Sequence, residues 1–231
     1  MQTNEWSEIF AEMAQAWERI GAADRGDVVA WEAEFQVMRA ERDRLVQLGR
    51  WTREPADLMS VARVHRRELA HSAVLRWLCD PSGSHALGEA FLERLLKETG
   101  DVPETLTDAR TFTEVVRERS RADIVISGNG WRLIAELKVD ASESKDQCQR
   151  VFEDWRGDPG TRFVFLTLSG RNPITATTSQ AQEAWRGMAW SKIADLLDDA
   201  IRSQDDTVIA PAVQEYRRTL QALVGRRPRH S

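Results

Sequence analysis

Two carboxylates and one amine occupy two neighbouring β-rich segments near the middle of the chain. Asp123 lies in the segment Ala122–Ser127, whereas Glu136 and Lys138 lie in the segment Leu133–Val139. Carboxylate oxygens suit Mg²⁺ or Mn²⁺, which proteins commonly hold with one or two carboxylates together with water and a substrate phosphate. An ammonium group beside such an ion can orient or help to deprotonate water and can neutralise charge on a phosphate. These residue types therefore indicate metal-assisted chemistry on a phosphate group.

The dipeptide between the two segments predicts how these side chains meet. Asn129-Gly130 is the strongest short signal for a two-residue type I′ turn. With the turn at these residues, antiparallel pairing places Asp123 directly across from Glu136. Because side chains alternate along a strand, Lys138 is expected on the same face, about 7 Å from Glu136.

The opposite face of the predicted hairpin is apolar. Its residues are Ile124, Ile126, Leu133, Ala135, Leu137 and Val139. On the charged face, carboxylates roughly 5 Å apart repel each other and destabilise a strand pair, unless a bound cation compensates the repulsion. The alternative is a solvated strand face that carries an ordinary Glu/Lys pair. Only four of the 32 basic residues are lysines, and arginine cannot readily act as a base. A lysine beside two acids therefore favours a metal site over a solvated strand face.

An aspartate on one strand and Glu-x-Lys on the next, with apolar residues between, resembles the PD-(D/E)XK nuclease superfamily, also called restriction-endonuclease-like. The resemblance covers about residues 65–200. It implies that Asp123 and Glu136 are the metal-binding acids and that Lys138 is the catalytic lysine. Ala122 stands where the superfamily usually has proline.

Two flanking segments are similar to the same superfamily. Glu68–Pro81 resembles the opening helices of a bacterial branch, with a Glu-x-x-His-Ser motif. Asp146–Val151 resembles the helix that often carries a Gln-x-x-x-Tyr signature. Val151 replaces the tyrosine, so only the glutamine of the signature has a counterpart here, Gln147. We expect Gln147 to be a site residue able to reach Lys138 or a phosphate.

The first of these helices brings further polar groups to one face. Glu68, His71, Ser72 and Leu75 fall on one helical stripe. If this helix packs beside the hairpin, Glu68 is a third acid near the metal and His71 contacts the scissile phosphate or a nearby water. The alternative is a helix cap and a structural, hydrogen-bonded histidine.

A predicted strand over residues 111–117 precedes the hairpin and adds candidate residues. Glu114 is a further candidate metal ligand, Glu118 competes for that role, and a solvated position remains open for both. Arginine grips phosphate bidentately. The candidate phosphate contacts are Arg117, Arg119, Arg121 and Arg171.

Composition limits the remaining possibilities. The chain has 231 residues, of which 42% are hydrophobic, so it can bury a core as one domain with a small appendage. Two cysteines without nearby partners, and no apolar stretch of the ~18 residues that span a membrane, predict a cytoplasmic protein without membrane contact. The formal charge of −5 argues weakly against strong nonspecific nucleic-acid binding.

The order of predicted elements indicates an α/β fold with a central mixed β-sheet flanked by helices, as the resemblance also implies. Three parts are expected: an N-terminal helical extension over residues 1–55, a nuclease-like domain over residues 56–225 and a basic tail over residues 226–231. Apolar spacing predicts helices over about residues 6–20 and 27–49, which form a hairpin in the extension.

The leading hypothesis is an Mg²⁺- or Mn²⁺-dependent nuclease that acts on DNA, with a role in restriction or anti-phage defence by analogy with the family. A homodimer is expected if the enzyme cuts palindromes. Two other classes of protein stay open as alternatives. One is a catalytically silent relative that binds nucleic acid or a protein, and the other is an interaction protein whose charged trio is incidental.

Overall fold

The computed structural model of the protein describes residues 13, 15, 31–45, 47–48, 57–204 and 208–225. The chain divides into two compact units, Met1–Glu54 and Pro55–Ser231. In the first unit, residues 31–45 are helical, inside the range that apolar spacing predicts. The rest of the predicted helical hairpin, apart from a few residues, and the predicted tail over residues 226–231 lie outside the described residues.

The second unit is built around a five-stranded mixed sheet. Its strands are β1 (Arg110–Val116), β2 (Arg121–Gly128), β3 (Trp131–Leu137), β4 (Thr161–Thr167) and β5 (Trp185–Ala189). They lie side by side in chain order. The first three strands pair antiparallel, whereas β3, β4 and β5 pair parallel. The predicted central mixed sheet with flanking helices is therefore confirmed.

The helices of this unit connect and cover the strands. They are α1 (Leu58–Val61), α2 (Glu68–Leu78), α3 (Ala90–Thr99), α4 (Gln147–Trp155), α5 (Ser179–Ala184), α6 (Trp190–Arg202) and α7 (Pro211–Leu223). Parallel neighbours need crossover connections, and α4 and α5 lie in the two that the sheet requires. Across the described stretches of the chain, no helix has the length and apolar character needed to cross a bilayer.

Both faces of the sheet pack against apolar side chains. On one face, Ile124 and Leu133 belong to a core completed by α2, α3, α6 and α7. On the other face, Val125 and Ile134 pack with α4 and α5. The sequence pattern predicts one apolar and one charged face, and this is only partly correct, because crossover helices cover both faces of the parallel part of a sheet. The charged residues therefore lie at one end of an otherwise apolar face.

The β2–β3 hairpin has the predicted register but a different turn. Gly128 pairs with Trp131, so Asn129 and Gly130 form the turn. Gly130 has φ +74°, whereas Asn129 is not among the residues with positive φ. This is the pattern of a type II turn, since type I′ needs positive φ at both central residues. The backbone N–H of Asn129 donates to Asp108 at 3.2 Å, and this contact from outside the hairpin holds the turn.

Candidate active site

Asp123 lies where the regular ladder between β2 and β3 ends. Ile124 and Ala135 form the last ladder pair on this side. Beyond it, Oδ2 of Asp123 accepts a hydrogen bond from the backbone N–H of Leu137 at 2.8 Å. Glu136 follows Ala135 on β3, with a side chain that is 0% exposed. The structure thus brings the two acids together, as the predicted register requires.

Burial and mutual repulsion act on the pKa of both acids. Burial raises the pKa of Asp123, partly offset by the N–H of Leu137 and the charge of Lys138. Burial, followed by the nearby charge of Asp123, raises the pKa of Glu136 well above 4.5. Two carboxylates so close cannot both ionise without cost. Both carboxyl groups therefore keep a proton to higher pH than free carboxyls do, and the rise in pKa is larger at the more buried Glu136.

Glu136 has one satisfied and one unsatisfied oxygen. Its Oε2 accepts a hydrogen bond from Nε2 of Gln147 at 2.5 Å, whereas its buried Oε1 has no hydrogen-bond partner. Gln147 is the first residue of α4, and its own carbonyl oxygen accepts from the backbone N–H of Ser144 at 3.2 Å. The structure therefore brings Gln147 into the acid cluster, where its partner is Glu136.

Lys138 places its ammonium beside two acids without a hydrogen bond to either. Nζ lies 3.9 Å from Oε2 of Glu136 and 3.8 Å from Oε2 of Glu68, and both distances exceed the hydrogen-bond range. Its backbone is held on both sides, since its N–H donates to Leu166 and its carbonyl accepts from Nε1 of Trp190. The side chain is only 10% exposed. The ammonium is thus paired by charge with both acids, and neither acid accepts a hydrogen bond from it.

Glu68 joins the cluster from the first turn of α2. Its Oε1 accepts a hydrogen bond from the backbone N–H of Val139 at 2.9 Å, which fixes the start of α2 beside the end of β3. Its Oε2 is the oxygen that faces Lys138. The helix therefore packs beside the hairpin as the stripe predicts, and Glu68 is a third acid near the pair.

His71 does not reach the cluster, and the structure supports the alternative of a structural histidine. Its ring is fully buried, with Nε2 at 2.8 Å from the carbonyl of His65 and Nδ1 at 3.0 Å from the hydroxyl of Tyr216. A carbonyl only accepts, so Nε2 carries the proton and Nδ1 accepts from Tyr216. Burial lowers the pKa of His71. Both nitrogens are occupied, so the predicted contact with a scissile phosphate is inconsistent with this geometry.

Glu114 also lies away from the acid pair. It adopts a left-handed backbone conformation with φ +52° and is exposed. Its carboxylate pairs with Arg121 at 3.2 Å, so the structure does not bring it to the predicted metal site. The backbone conformation interrupts the alternation from which its position was predicted. Glu118, the competing acid, is exposed in the connection between β1 and β2.

Most of the arginines predicted as phosphate contacts have acidic partners within the protein. Their ion pairs are Arg117–Asp158 at 2.6 Å, Arg119–Glu153 at 2.9 Å and Arg171–Glu143 at 2.5 Å. Each of these arginines therefore has a carboxylate partner within the protein, although Asp158 also pairs with Arg132. Arg121 has only the exposed Glu114 as its ion-pair partner among the described residues.

Two buried polar residues that sequence reasoning missed hold the loop after β4. Glu143, with a 0% exposed side chain, accepts hydrogen bonds from the backbone N–H groups of Ile174 and Thr175. Oε1 of Gln149 accepts from the backbone N–H groups of Thr177 and Thr178. Neither residue belongs to a recognisable motif, so the sequence carries no signal for this role. Together they fix the loop against the start of α4 and hence against Gln147.

The acid cluster has the oxygen donors that a divalent cation prefers. The carboxylates of Glu68 and Glu136 lie within 4 Å of one ammonium, and Asp123 lies next to Glu136. Oε1 of Glu136 is buried without a hydrogen-bond donor, so one oxygen ligand is already dehydrated. Among the residues that the structure describes, no group of three or more Asp, Glu, His or Cys side chains is arranged to hold a metal ion. Asp123 and Glu68 each accept a backbone hydrogen bond instead. These bonds use Oδ2 of Asp123 and Oε1 of Glu68, and each carboxylate has a second oxygen.

The fold and this cluster together define an α/β protein of restriction-endonuclease-like architecture. The model of the PD-(D/E)XK nuclease superfamily matches residues 56–218, and the chain belongs to that superfamily. Its members are generally nucleases, which implies binding to nucleic acid and the use of divalent metals. No curated protein and no solved structure matches the chain at a significant level.

Proposed function

We propose that the protein is a metal-dependent nuclease that hydrolyses DNA phosphodiester bonds with Mg²⁺ or Mn²⁺. The observation that carries this proposal is the acid pair of Asp123 and Glu136, which the fold buries although Oε1 of Glu136 has no partner. Two adjoining buried carboxyl groups, both with raised pKa values, are costly for a purely structural role. Hard oxygen ligands favour Mg²⁺ or Mn²⁺ over softer ions.

In this proposal Asp123, Glu136 and Glu68 hold the cation, which when bound supplies a Lewis acid that activates water and stabilises charge on the phosphate. Gln147 orients Glu136 through the 2.5 Å hydrogen bond to its Oε2. Lys138 has no hydrogen bond to either neighbouring acid. It therefore donates to the attacking water and to a phosphate oxygen as negative charge develops there.

Cleavage assays test the proposal. Circular, linear and single-stranded DNA and RNA are incubated with Mg²⁺ or Mn²⁺ and the wild type, Asp123→Asn or Lys138→Ala. Lys97→Ala is the matched control, because Lys97 is an exposed lysine on α3. We expect DNA cleavage by the wild type and the control, and a loss of at least about 100-fold in both site variants.

Three other outcomes lead to different conclusions. Cleavage by Lys138→Ala at the wild-type rate would reject the role given to Lys138. Cleavage of RNA alone would replace DNA as the substrate. Nucleic-acid binding without cleavage under any of these conditions would favour the catalytically silent relative.

The proposal extends to the cellular setting by analogy with the superfamily. We propose a cytoplasmic enzyme in restriction or anti-phage defence, and a homodimer if it cuts both strands of a palindrome. Phage plating on cells that express the wild type or Asp123→Asn tests the first part. Equal plating on the two strains would argue against a defence role.

A further inference from the structure

A cleft of about 390 Å³ opens beside the acid pair. The connection between β1 and β2 lines one wall, the start of α4 lines the other, and Asp123 and Gln147 belong to its lining. Its charged side chains are Arg117, Glu118, Arg119, Arg121, Asp123 and Arg150. The lining thus has more positive than negative groups, although the whole chain has a formal charge of −5.

Two of the four arginines pair with acids whose side chains are mostly buried. Arg117 forms a bidentate pair with Asp158 and stacks on the ring of Trp155 at 3.4 Å. Arg119 pairs with Glu153 and, more weakly, with Asp154. Asp158 also pairs with Arg132, so it offsets only part of the charge of Arg117, whereas Arg119 faces two carboxylates.

The other two arginines retain charge that a ligand can use. Among the described residues Arg121 pairs only with Glu114, and the two side chains are 60% and 43% exposed, so water screens that pair strongly. Arg150 donates to the backbone carbonyl of Lys145. It forms no ion pair with a carboxylate anywhere in residues 57–204 or the other described stretches.

The backbone N–H groups at the start of α4 are already hydrogen-bonded, so they do not bind an anion in the cleft. The N–H of Cys148 donates to the hydroxyl of Thr175 at 3.1 Å, and the N–H of Gln149 donates to the carbonyl of Thr175 at 3.1 Å. The helix N-terminus is therefore already satisfied by the loop after β4. An anion in the cleft must be met by side chains.

We propose that Arg121 and Arg150 form a phosphate clamp, which binds the nucleic-acid backbone next to the phosphodiester at Asp123. Guanidinium groups match phosphate oxygens bidentately, and both residues share the cleft with Asp123. The clamp also compensates the repulsion between a polyanionic strand and the acid cluster. This inference rests on the proposed function for its substrate, a nucleic-acid strand.

Binding in the Lys138→Ala background tests the clamp without cleavage. Fluorescence anisotropy with labelled single-stranded and duplex DNA is measured in Mg²⁺ over a series of salt concentrations. The variants are Arg121→Gln and Arg150→Gln, and the control is Arg119→Gln, which removes the same charge from the same cleft. Arg121→Lys and Arg150→Lys keep the charge without the bidentate geometry, and thermal melts check that each variant is folded.

We expect each glutamine variant of the clamp to bind about tenfold more weakly. For each arginine removed, the slope of log affinity against log salt concentration should become shallower by about 0.7 with a single strand or about 0.9 with a duplex. The control should change the slope less, because Arg119 already faces two carboxylates, whereas Arg121 faces the single exposed Glu114. The lysine variants should keep most of the slope while losing part of the affinity.

The outcomes separate the clamp from the nuclease proposal. Parental affinity and slope in both glutamine variants would overturn the clamp, as would an equal loss in the Arg119→Gln control. Either result leaves the cleavage assays unaffected. If the protein binds nucleic acid through the clamp but the wild type cleaves no substrate, the result supports the clamp and contradicts the nuclease proposal. A wild type that does not bind nucleic acid at all overturns both.

Discussion

Glu136 is the residue at which stability and the proposed chemistry conflict. Its side chain is fully buried, and the pKa of its carboxyl is raised well above 4.5 by burial and by Asp123. The folded state therefore keeps this proton to higher pH than the unfolded state does. Stability consequently falls as pH rises from about 4.5 towards the folded-state pKa.

We expect Glu136→Gln to stabilise the protein in EDTA at neutral pH, because an amide keeps an oxygen for Gln147 and has no ionisation to suppress. A gain of about 1–2 kcal/mol corresponds to roughly 2–8 °C in melting temperature. The gain should shrink near pH 4.5, where the unfolded carboxyl also holds its proton. Thermal melts across pH measure it, with the exposed Glu93→Gln as control. A lower melting temperature for Glu136→Gln in EDTA would contradict this account.

Divalent cations should stabilise the wild type through the same acids. A ligand that binds only the folded state raises stability with its concentration, by about 2.7 kcal/mol at 100 times the dissociation constant. We expect Mg²⁺ or Mn²⁺ to raise the melting temperature of the wild type and to have no effect on Asp123→Asn. Exposed Asp101→Asn is the matched control. If Asp123→Asn keeps the full shift, the cation binds somewhere else.

At the scale of elements, a buried aromatic group behind Lys138 joins three helices to the end of β3. Nε1 of Trp190 on α6 donates to the carbonyl of Lys138 at 3.0 Å. The ring of His71 on α2 lies 4.7 Å from that of Trp190 and accepts a hydrogen bond from Tyr216 on α7. The backbone position of Lys138 thus depends on how these helices pack.

Tyr216→Phe tests this group with little change in volume. It leaves the buried Nδ1 of His71 without a donor, and we expect a loss of about 1–3 kcal/mol in the free energy of unfolding, measured by urea denaturation. Thr219→Val is a control on the same helix, where a buried hydroxyl donates to Asp57 instead. A Tyr216→Phe protein as stable as the wild type would show that the hydrogen bond to His71 contributes nothing measurable.

The elements near the site differ in how far the sequence predicts them. The register that brings Asp123 to Glu136 was predictable, because alternation and an Asn-Gly turn act between residues close in the chain. The turn type was not, since the contact from Asp108 to Asn129 depends on tertiary packing. The same limit applies to Glu114, where a left-handed residue inside a strand changes the direction of the side chain. It applies also to Glu143 and Gln149, whose partners lie about thirty residues away.

At the scale of the whole molecule, the unit Pro55–Ser231 contains the proposed site and both apolar cores. All the acids of the cluster, Lys138 and the cleft arginines lie within it. A unit with its own cores is expected to fold alone. The first unit, Met1–Glu54, contributes no residue to the site among those described.

We therefore expect a fragment of residues 55–231 to unfold cooperatively at a melting temperature close to that of the full chain and, if the nuclease proposal holds, to cleave DNA. The matched control is a fragment of residues 55–204, which lacks α7 and with it the buried Val213, Tyr216 and Leu220. Losing three such side chains removes several kcal/mol, comparable to the net stability of a domain, so the control should not fold. Circular dichroism melts and the cleavage assay measure both fragments. A 55–231 fragment that folds but does not cleave, beside an active full chain, would assign an essential role to residues 1–54.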